Sequence, residues 1–371
     1  MSKILIILNG QFGYNTDYVK MTDFLALHNV KVEILCLDKH LTKIDAMRNV
    51  NVKYLKQKKN KYFNYLNFYY QIIKHVLRKN NFNWILVSGG VEYCGIIPIL
   101  LKNFTSKTQW IMDIRTCAVS SNEKKRSLYD KSLRWSTKFY DYNTIISDLV
   151  ANHLQVSNYT LLPLGADRII DVNKKELNPK NINFLYVGTF ENRHIDKVIK
   201  AYNEFCSKID NRIQTRFDIV GYSDSNNTQN TVLNAINNAP YRDKIKYHGR
   251  KTHNEIIELF EEATVGFSYI PLTDYFNVQP PTKTYEYAMN GIICIGTNTS
   301  ANSQIINEKN GILIQDDIES IVNGMIQVVQ NISMYNSKDI SKTVENNTWE
   351  KIEERFYYFL ESINLKNSQK D

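Results

Sequence analysis

The feature that most constrains the fold is an alternation of short apolar runs with amphipathic stretches, which proceeds, breaks off once and begins again. KILIIL (3–8) leads into a loop holding Gly10 and Gly13, and Tyr18, Met21 and Leu25 then share one face of a predicted helix. VKVEILCL (30–37), WILVS (84–88), QWIMDI (109–114), TIIS (144–147) and YTLLP (159–163) continue the series of predicted strands. Strands that are apolar almost throughout are buried on both faces, as in a parallel sheet covered by helices. The polar stretch DVNKKELNPKN (171–181) interrupts the pattern and reads as a linker. Beyond it, INFLYVG (182–188), RFDIVG (216–221) and KIKYHG (244–249) each end at a glycine, with helices predicted near 194–207, 227–238 and 253–263. TVGFSYIP (264–271), IICIG (292–296) and GILI (311–314) complete the second set, and Trp349, Ile352 and Phe356 predict a terminal amphipathic helix. The expected organisation is an N-terminal Rossmann-like domain over 1–170, a linker over 171–181, and a second Rossmann-like domain over 182–345. A helix over 346–371 is expected to cross back to the first domain. Doubly wound sheets take ligands at the C-terminal ends of their strands, so a nucleotide-like ligand is expected in a cleft between two such facing domains.

A chain of 371 residues suits two such domains, and its 43% hydrophobic content is enough for real cores rather than a disordered chain. The apolar run at the N-terminus is too short for a signal peptide, and nowhere do about 18 apolar residues follow one another. A cytoplasmic protein, reaching at most the inner face of a membrane, is expected. The five cysteines (Cys36, Cys94, Cys117, Cys206 and Cys294) are scattered and form no CxxC pair, which argues for buried thiols over zinc or disulfides. Charge is uneven: residues 1–165 carry 23 Lys and Arg against 11 Asp and Glu, whereas the remainder carries 23 against 27. The N-terminal half is therefore the one to meet an anionic partner. Within it, KYLKQKKNKYFNYLNFYYQIIKHVLRK (53–79) and EKKRSLYDKSLRWSTKFY (123–140) combine lysines with aromatic residues. This suits peripheral contact with an anionic membrane, with a pair of plain solvated helices as the alternative. Nucleic acid is not expected as a partner, because no DNA- or RNA-binding motif accompanies these stretches.

The most specific local sequence is QPPTKTYEYAMNGIICIGT (279–297). Pro280 and Pro281 stiffen the entrance to a helix that Asn290 and Gly291 would end. Lys283 and Glu286 share a face near its start, where a carboxylate can grip vicinal hydroxyls while Lys283 and free N–H groups attract phosphate. By spacing alone a solvated ion pair on a surface helix is the stronger reading. The spacing of Gly10 and Gly13 is GxxG, so the dinucleotide fingerprint is absent and a nicotinamide-dependent oxidoreductase is disfavoured.

This segment resembles the KxxEYxAxG stretch of family 4 retaining glycosyltransferases. YVGTFENRHIDKVIKAY (186–202), KIKYHGRKTHNEIIELFEEATVGFSYIP (244–271), LLPLGAD (161–167) and MDIRT (112–116) extend the likeness in the right order. The resemblance implies GT-B architecture, two Rossmann-like doubly wound domains facing across a cleft. It implies a glycosyltransferase that moves a hexosyl or N-acetylhexosaminyl group from a nucleotide sugar, UDP-linked before GDP-linked, to a glycan or lipid-linked acceptor of a cell-surface polysaccharide. By it, Glu286 would hold the donor ribose, and Arg193, with Lys197 second, would face the diphosphate. Gly10, Gly13, Asn277, Gln279, Thr282 and Lys283 complete the expected donor contacts. The leaving group of such a transfer gains negative charge, which a fixed arginine stabilises. Arg193 also reads as an ordinary loop arginine, and the two glycines as turn residues.

The chain departs from the family's pattern in two places. A second glutamate often stands eight residues before the position of Glu286, where this chain has Val278, which leaves the donor sugar to backbone groups or to Asn277. A histidine is common after the central strand, where this chain reads Asp113-Ile114-Arg115. Asp113 and Arg115 are expected at the strand's end as catalytic groups, or else as a buried pair bracing the domain. Retention, with the leaving phosphate oxygen taking the acceptor's proton, is implied by resemblance. No cofactor or metal is expected, because no DxD motif lies beside a strand. A nucleotide-sugar epimerase of the same fold and a catalytically silent sugar-nucleotide-binding partner are the alternatives. High Asn, Lys, Ile and Tyr content points to an AT-rich bacterial source.

Overall fold

The computed structural model describes residues 1–57, 60–79 and 81–368, so Lys58 and Lys59 of the basic run and the last three residues of the expected terminal helix lie outside the described residues. The chain divides into two compact units, Met1–Leu164 with Trp349–Asp371, and Gly165–Thr348.

The first unit is a seven-stranded sheet in the order β3-β2-β1-β4-β5-β6-β7, every neighbouring pair parallel. It runs β1 (Lys3–Leu8), α1 (Thr16–Leu27), β2 (Lys31–Asp38), β3 (Val50–Lys56), α2 (Lys61–Arg78), β4 (Trp84–Ser88) and α3 (Ile96–Leu101). β5 (Gln109–Ile114), α4 (Glu123–Ser136), β6 (Tyr142–Ile145), α5 (Asp148–Leu154) and β7 (Thr160–Leu161) follow. β3, VNVKYLK, was not expected from the sequence. It is the edge strand, alternates in burial and carries two exposed lysines, so it lacks the apolar run by which its neighbours announce themselves.

The second unit repeats the plan with six parallel strands in the order β10-β9-β8-β11-β12-β13. Its elements are β8 (Asn181–Val187), α6 (Ile195–Lys208), β9 (Gln214–Val220), α7 (Asn226–Asn237), β10 (Ile245–Gly249) and α8 (Ile257–Glu262). Then come β11 (Val265–Ser268), α9 (Asp274–Asn277), α10 (Thr282–Met289), β12 (Ile293–Thr297), β13 (Gly311–Ile314), α11 (Ile318–Asn331) and α12 (Ser337–Lys342). In both sheets the first strand sits in the middle and the winding reverses beside it, between β1 and β4 and between β8 and β11. Loops leaving the two strands at such a reversal part from each other and open a crevice.

Residues 171–181 belong to the second unit rather than standing free. Val172 is buried in that unit's core, and Lys175 donates to the carbonyls of Phe260 and Glu261 at the end of α8. The terminal helix α13 (Trp349–Ser368) lies in the first unit, where Trp349, Ile352, Phe356, Leu360 and Ile363 join the core lined by Tyr18, Met21 and Leu25 of α1. All five cysteines are free and buried.

Candidate functional site

In the second unit the switch-point loops carry the residues to which the sequence directs attention. Arg193 follows β8, while Phe276 and α10 follow β11, the strand paired with β8. The Arg193 guanidinium lies over the Phe276 ring, 4.2 Å from its centroid. Its Nη1 is buried and has no hydrogen-bond partner among the described residues. Burial lowers the guanidinium from its ordinary value, opposed only by the nearby phenols of Tyr186 and Tyr275. A buried N–H without an acceptor is costly, and an anion seated there would relieve it. Backbone geometry presents the residue: Asn192 and His194, on either side of Arg193, have φ of 55° and 49°. Two left-handed residues in so short a span turn the chain sharply just ahead of α6.

α10 owes its seat to a glycine beneath it and to two of its own side chains. A Cβ on Gly266 of β11 would lie 2.4 Å from the Tyr287 ring, so only glycine lets that ring lie flat on the strand. The Tyr287 hydroxyl in turn accepts from the Val187 N–H at the end of β8, 2.9 Å away. Thr284 donates to Ser268 at 2.6 Å and also lies 2.7 Å from the Asn302 amide oxygen. With Thr284, Tyr287 and Ala288 turned inward, helical geometry leaves Lys283 and Glu286 on the other face, half-exposed and paired at 2.5 Å. The helix ends as expected: Asn290 is the C-cap and Gly291 adopts φ 64°, where a Cβ would meet Ser337 at 2.7 Å. Asn290 does more than cap, accepting from the N–H groups of Ile169 and Ile170 and donating to the Asp167 carbonyl. At the start, Pro281 supplies no side-chain cap, Thr282 is exposed and Gln279 is half-buried.

Several expected contacts are spent elsewhere. Asn277 exchanges two hydrogen bonds with Ser300, donating to its hydroxyl and accepting from its N–H, so its amide holds the loop after β12. Lys197 is paired with Asp316 at 2.7 Å and donates to the same residue's carbonyl. Asp316 also accepts from the Tyr269 hydroxyl and the Leu272 N–H, so this lysine braces the loop after β11. Phe276 was not anticipated; the one signal for it in the sequence is the aromatic pair Tyr275-Phe276 after β11.

In the first unit Asp113 and Arg115, expected at the end of β5, are largely withdrawn from water and bonded within the fold. Asp113 has no exposed surface and accepts from the hydroxyls of Tyr18 (2.9 Å) and Thr144 (2.7 Å). Burial pushes its carboxyl above the usual range, against the pull of Arg115 and of both hydroxyls. Arg115 donates to Asp17 (2.6 Å) and to the carbonyls of Leu162 (2.6 Å) and Pro163 (3.2 Å). The pair thus ties the first turn of α1 and the chain after β7 to the centre of the sheet. Gly13, at φ 104°, packs its α-carbon on Ile44, 2.8 Å from where a Cβ would stand, which is the turn reading. Gly10 has open space, with Asn15 nearest at 3.7 Å. A cavity of about 530 Å³ opens among the loops after β4 and β5, lined by Tyr93, Thr116, Lys125, Leu128 and Tyr129 among others. Among the described residues one group could hold a metal, Cys117 with Asp130 and His153. There the His153 ring already bonds Asp130 at 3.0 Å, and burial pushes the Cys117 thiol up to about 12.

Residues 167–347 match the family described as glycosyl transferases group 1. No curated protein matches the chain in sequence. Among solved structures it is similar to sucrose-phosphate synthase from Thermosynechococcus elongatus, with a TM-score of 0.77 at 15% identity, covering 98% of this chain and 99% of that one. A glycosyltransferase from Rickettsia africae ESF-5 gives 0.72 at 13% identity, with 99% of each chain covered. HepE from Anabaena, in complex with UDP and glucose, gives 0.72 at 9% identity over 98% of this chain and 100% of that one. At such identities the likeness is one of fold, and it extends over nearly the whole chain. The chain thus has the GT-B fold, and its segment 167–347, which carries Arg193 and α10, is that of the glycosyl transferases group 1.

Proposed function

We propose that this glycosyltransferase moves a hexosyl or N-acetylhexosaminyl group from a UDP-sugar to a glycan or lipid-linked acceptor in bacterial cell-surface polysaccharide synthesis, with retention and without a metal. One observation carries the donor side: the buried, unpartnered Nη1 of Arg193, held on Phe276 at the switch point of the second sheet. An arginine so placed meets the diphosphate as the glycosidic bond breaks and negative charge gathers on the leaving oxygen. Glu286 grips the ribose hydroxyls from the outer face of α10, and Lys283, now its partner, turns to the phosphates. The leaving phosphate oxygen takes the acceptor hydroxyl's proton on the face it departs from, so no protein base is required. UDP is the preferred nucleotide because similar structures hold UDP with glucose, HepE among them.

Calorimetric titration with UDP, GDP, ADP and NAD, in EDTA, tests this on the wild type and on Glu286→Ala. UDP alone is expected to bind, and the substitution to weaken it by about 1–3 kcal/mol. Binding of NAD alone, or indifference to the substitution, overturns the reading. Val278 and the engagement of Asn277 with Ser300 favour one second reading, a silent sugar-nucleotide-binding partner. Tight UDP-sugar binding with no turnover in the presence of acceptor would select it.

A further inference from the structure

α2 carries two apolar faces where a surface helix of a folded domain needs one. Phe68, Ile72 and Val76 are buried, and on the opposite side Phe63, Leu66 and Tyr70 are 65%, 67% and 57% exposed, with Leu77 exposed two turns beyond. At 100° per residue the second stripe lies about 150° from the first, so packing against the sheet cannot account for it. α3, which packs beside α2, adds exposed Ile96, Ile99 and Leu100, and Phe104 stands exposed just after it. The charge around these residues is mostly positive, and the nearby Glu33 carboxylate is taken up by Lys3, His75 and Lys79. From Ala46 to Met112 the sequence has eleven Lys and Arg and a single acidic residue, Glu92. Lys53, Lys56, Arg78 and Lys107 are exposed, Lys53 and Arg78 line a cavity together with Lys74, and Lys74 stacks its ammonium over the Tyr70 ring.

We infer that this α2–α3 face docks on the surface of an anionic lipid bilayer, with Phe63, Leu66 and Tyr70 entering the acyl boundary and the lysines meeting the headgroups. Apolar insertion beside a basic rim is the chemistry of an interfacial helix, and the charge favours anionic lipid. It disfavours a second copy, which would bring the same positive charge to the contact. Among the described residues no helix is long and apolar enough to cross a membrane, so the contact is a surface one. Tyr69 of α2 donates to the Glu92 carbonyl at 2.5 Å, next to Tyr93 on the rim of the cavity described above. A lipid-linked acceptor would therefore arrive beside that cavity; this use rests on the proposed function, whereas the docking itself does not.

Sedimentation of the full chain with vesicles tests it, comparing phosphatidylcholine alone with a mixture containing 30 mol% phosphatidylglycerol, in the order of about 0.15 M salt, where a Debye length is about 8 Å. Binding to the anionic vesicles and little to the neutral ones is expected. The triple variant Phe63→Ser, Leu66→Ser, Tyr70→Ser should lower the partition coefficient about tenfold or more. Its thermal midpoint and its calorimetric UDP isotherm should match the wild type, because those side chains support no core. Failure of the wild type to bind anionic vesicles, or equal binding by the triple variant, overturns the inference. So does a dimer in sedimentation equilibrium that the triple variant disperses without any vesicle binding. Failure of the proposed function would appear separately, as loss of UDP binding with vesicle binding intact.

Discussion

Arg115 in the first unit and Arg193 in the second each follow a central strand of a parallel sheet, and each is largely withdrawn from water, yet their surroundings are opposite. Arg115 has a carboxylate, two carbonyls and a second carboxylate 4.0 Å away, and its pKa rises because Asp17 and Asp113 outweigh burial. Arg193 has an aromatic ring beneath it and a buried N–H facing nothing among the described residues, and burial lowers it. The first is a cross-brace whose interactions are complete within the fold. The second is a charge held ready at a standing cost, which a protein tolerates where a ligand will repay it.

The largest expected effect separates the two directly. Arg115→Ala should lower stability by about 3–5 kcal/mol, the cost of breaking a buried ion pair, in denaturant titrations. Its affinity for UDP, measured below the unfolding transition, should change little. An unaltered midpoint with lost turnover would instead make Arg115 a substrate contact and dissolve the contrast. Arg193→Gln should do the reverse: turnover of the nucleotide sugar falls about 10²- to 10³-fold, while the unfolding midpoint holds or rises as a buried unpaired charge is removed. A clear loss of stability with normal turnover would put Arg193 in the class of Arg115.

A second fully partnered charge sharpens the comparison by pH. Burial raises the Glu33 carboxyl, but hydrogen bonds from Lys3, Lys79 and His75 outweigh it and hold the group at about 2. Its folded pKa is below the unfolded value of about 4.3, so its stabilisation is present above that value and fades as pH falls from there towards 2. Glu33→Gln should flatten this acid limb of the stability curve and cost about 1–2 kcal/mol at neutral pH, the figure being reduced because Lys79 is half in solvent. An unchanged acid limb would show the cluster to be a surface one. The smallest effect belongs to the ring under Arg193: Phe276→Leu should weaken UDP binding about fivefold through loss of the cation–π contact. If calorimetry finds no change, Arg193 is positioned by backbone turns alone.

Much of the fold was legible in the sequence, and the reason is local. Buried parallel strands are continuous apolar runs, so twelve of the thirteen strands among the described residues were expected within about three residues at either end; β3 escaped because an edge strand alternates like a solvated segment. The limits of α10 were legible because proline before it and Asn290-Gly291 after it act on their own backbone. The site was legible only in outline. Arg193 and Glu286 could be named, but nothing near Asn277 announces that its amide is taken by Ser300, 23 residues further on. Lys197 likewise meets Asp316, 119 residues away.

The sequence by itself determined the element types, their order and the two-unit plan, because periodicity, caps and breakers act over a few residues. Tertiary structure alone decided which arginine is spent and which is left unpaired. The acceptors that satisfy Arg115 lie 98 and 47 residues away along the chain, and they meet it only because the parallel sheet brings its strand ends together. The same held for α2, where its aromatic residues declared a helix, and only the assembled unit showed one face buried and the other left facing water.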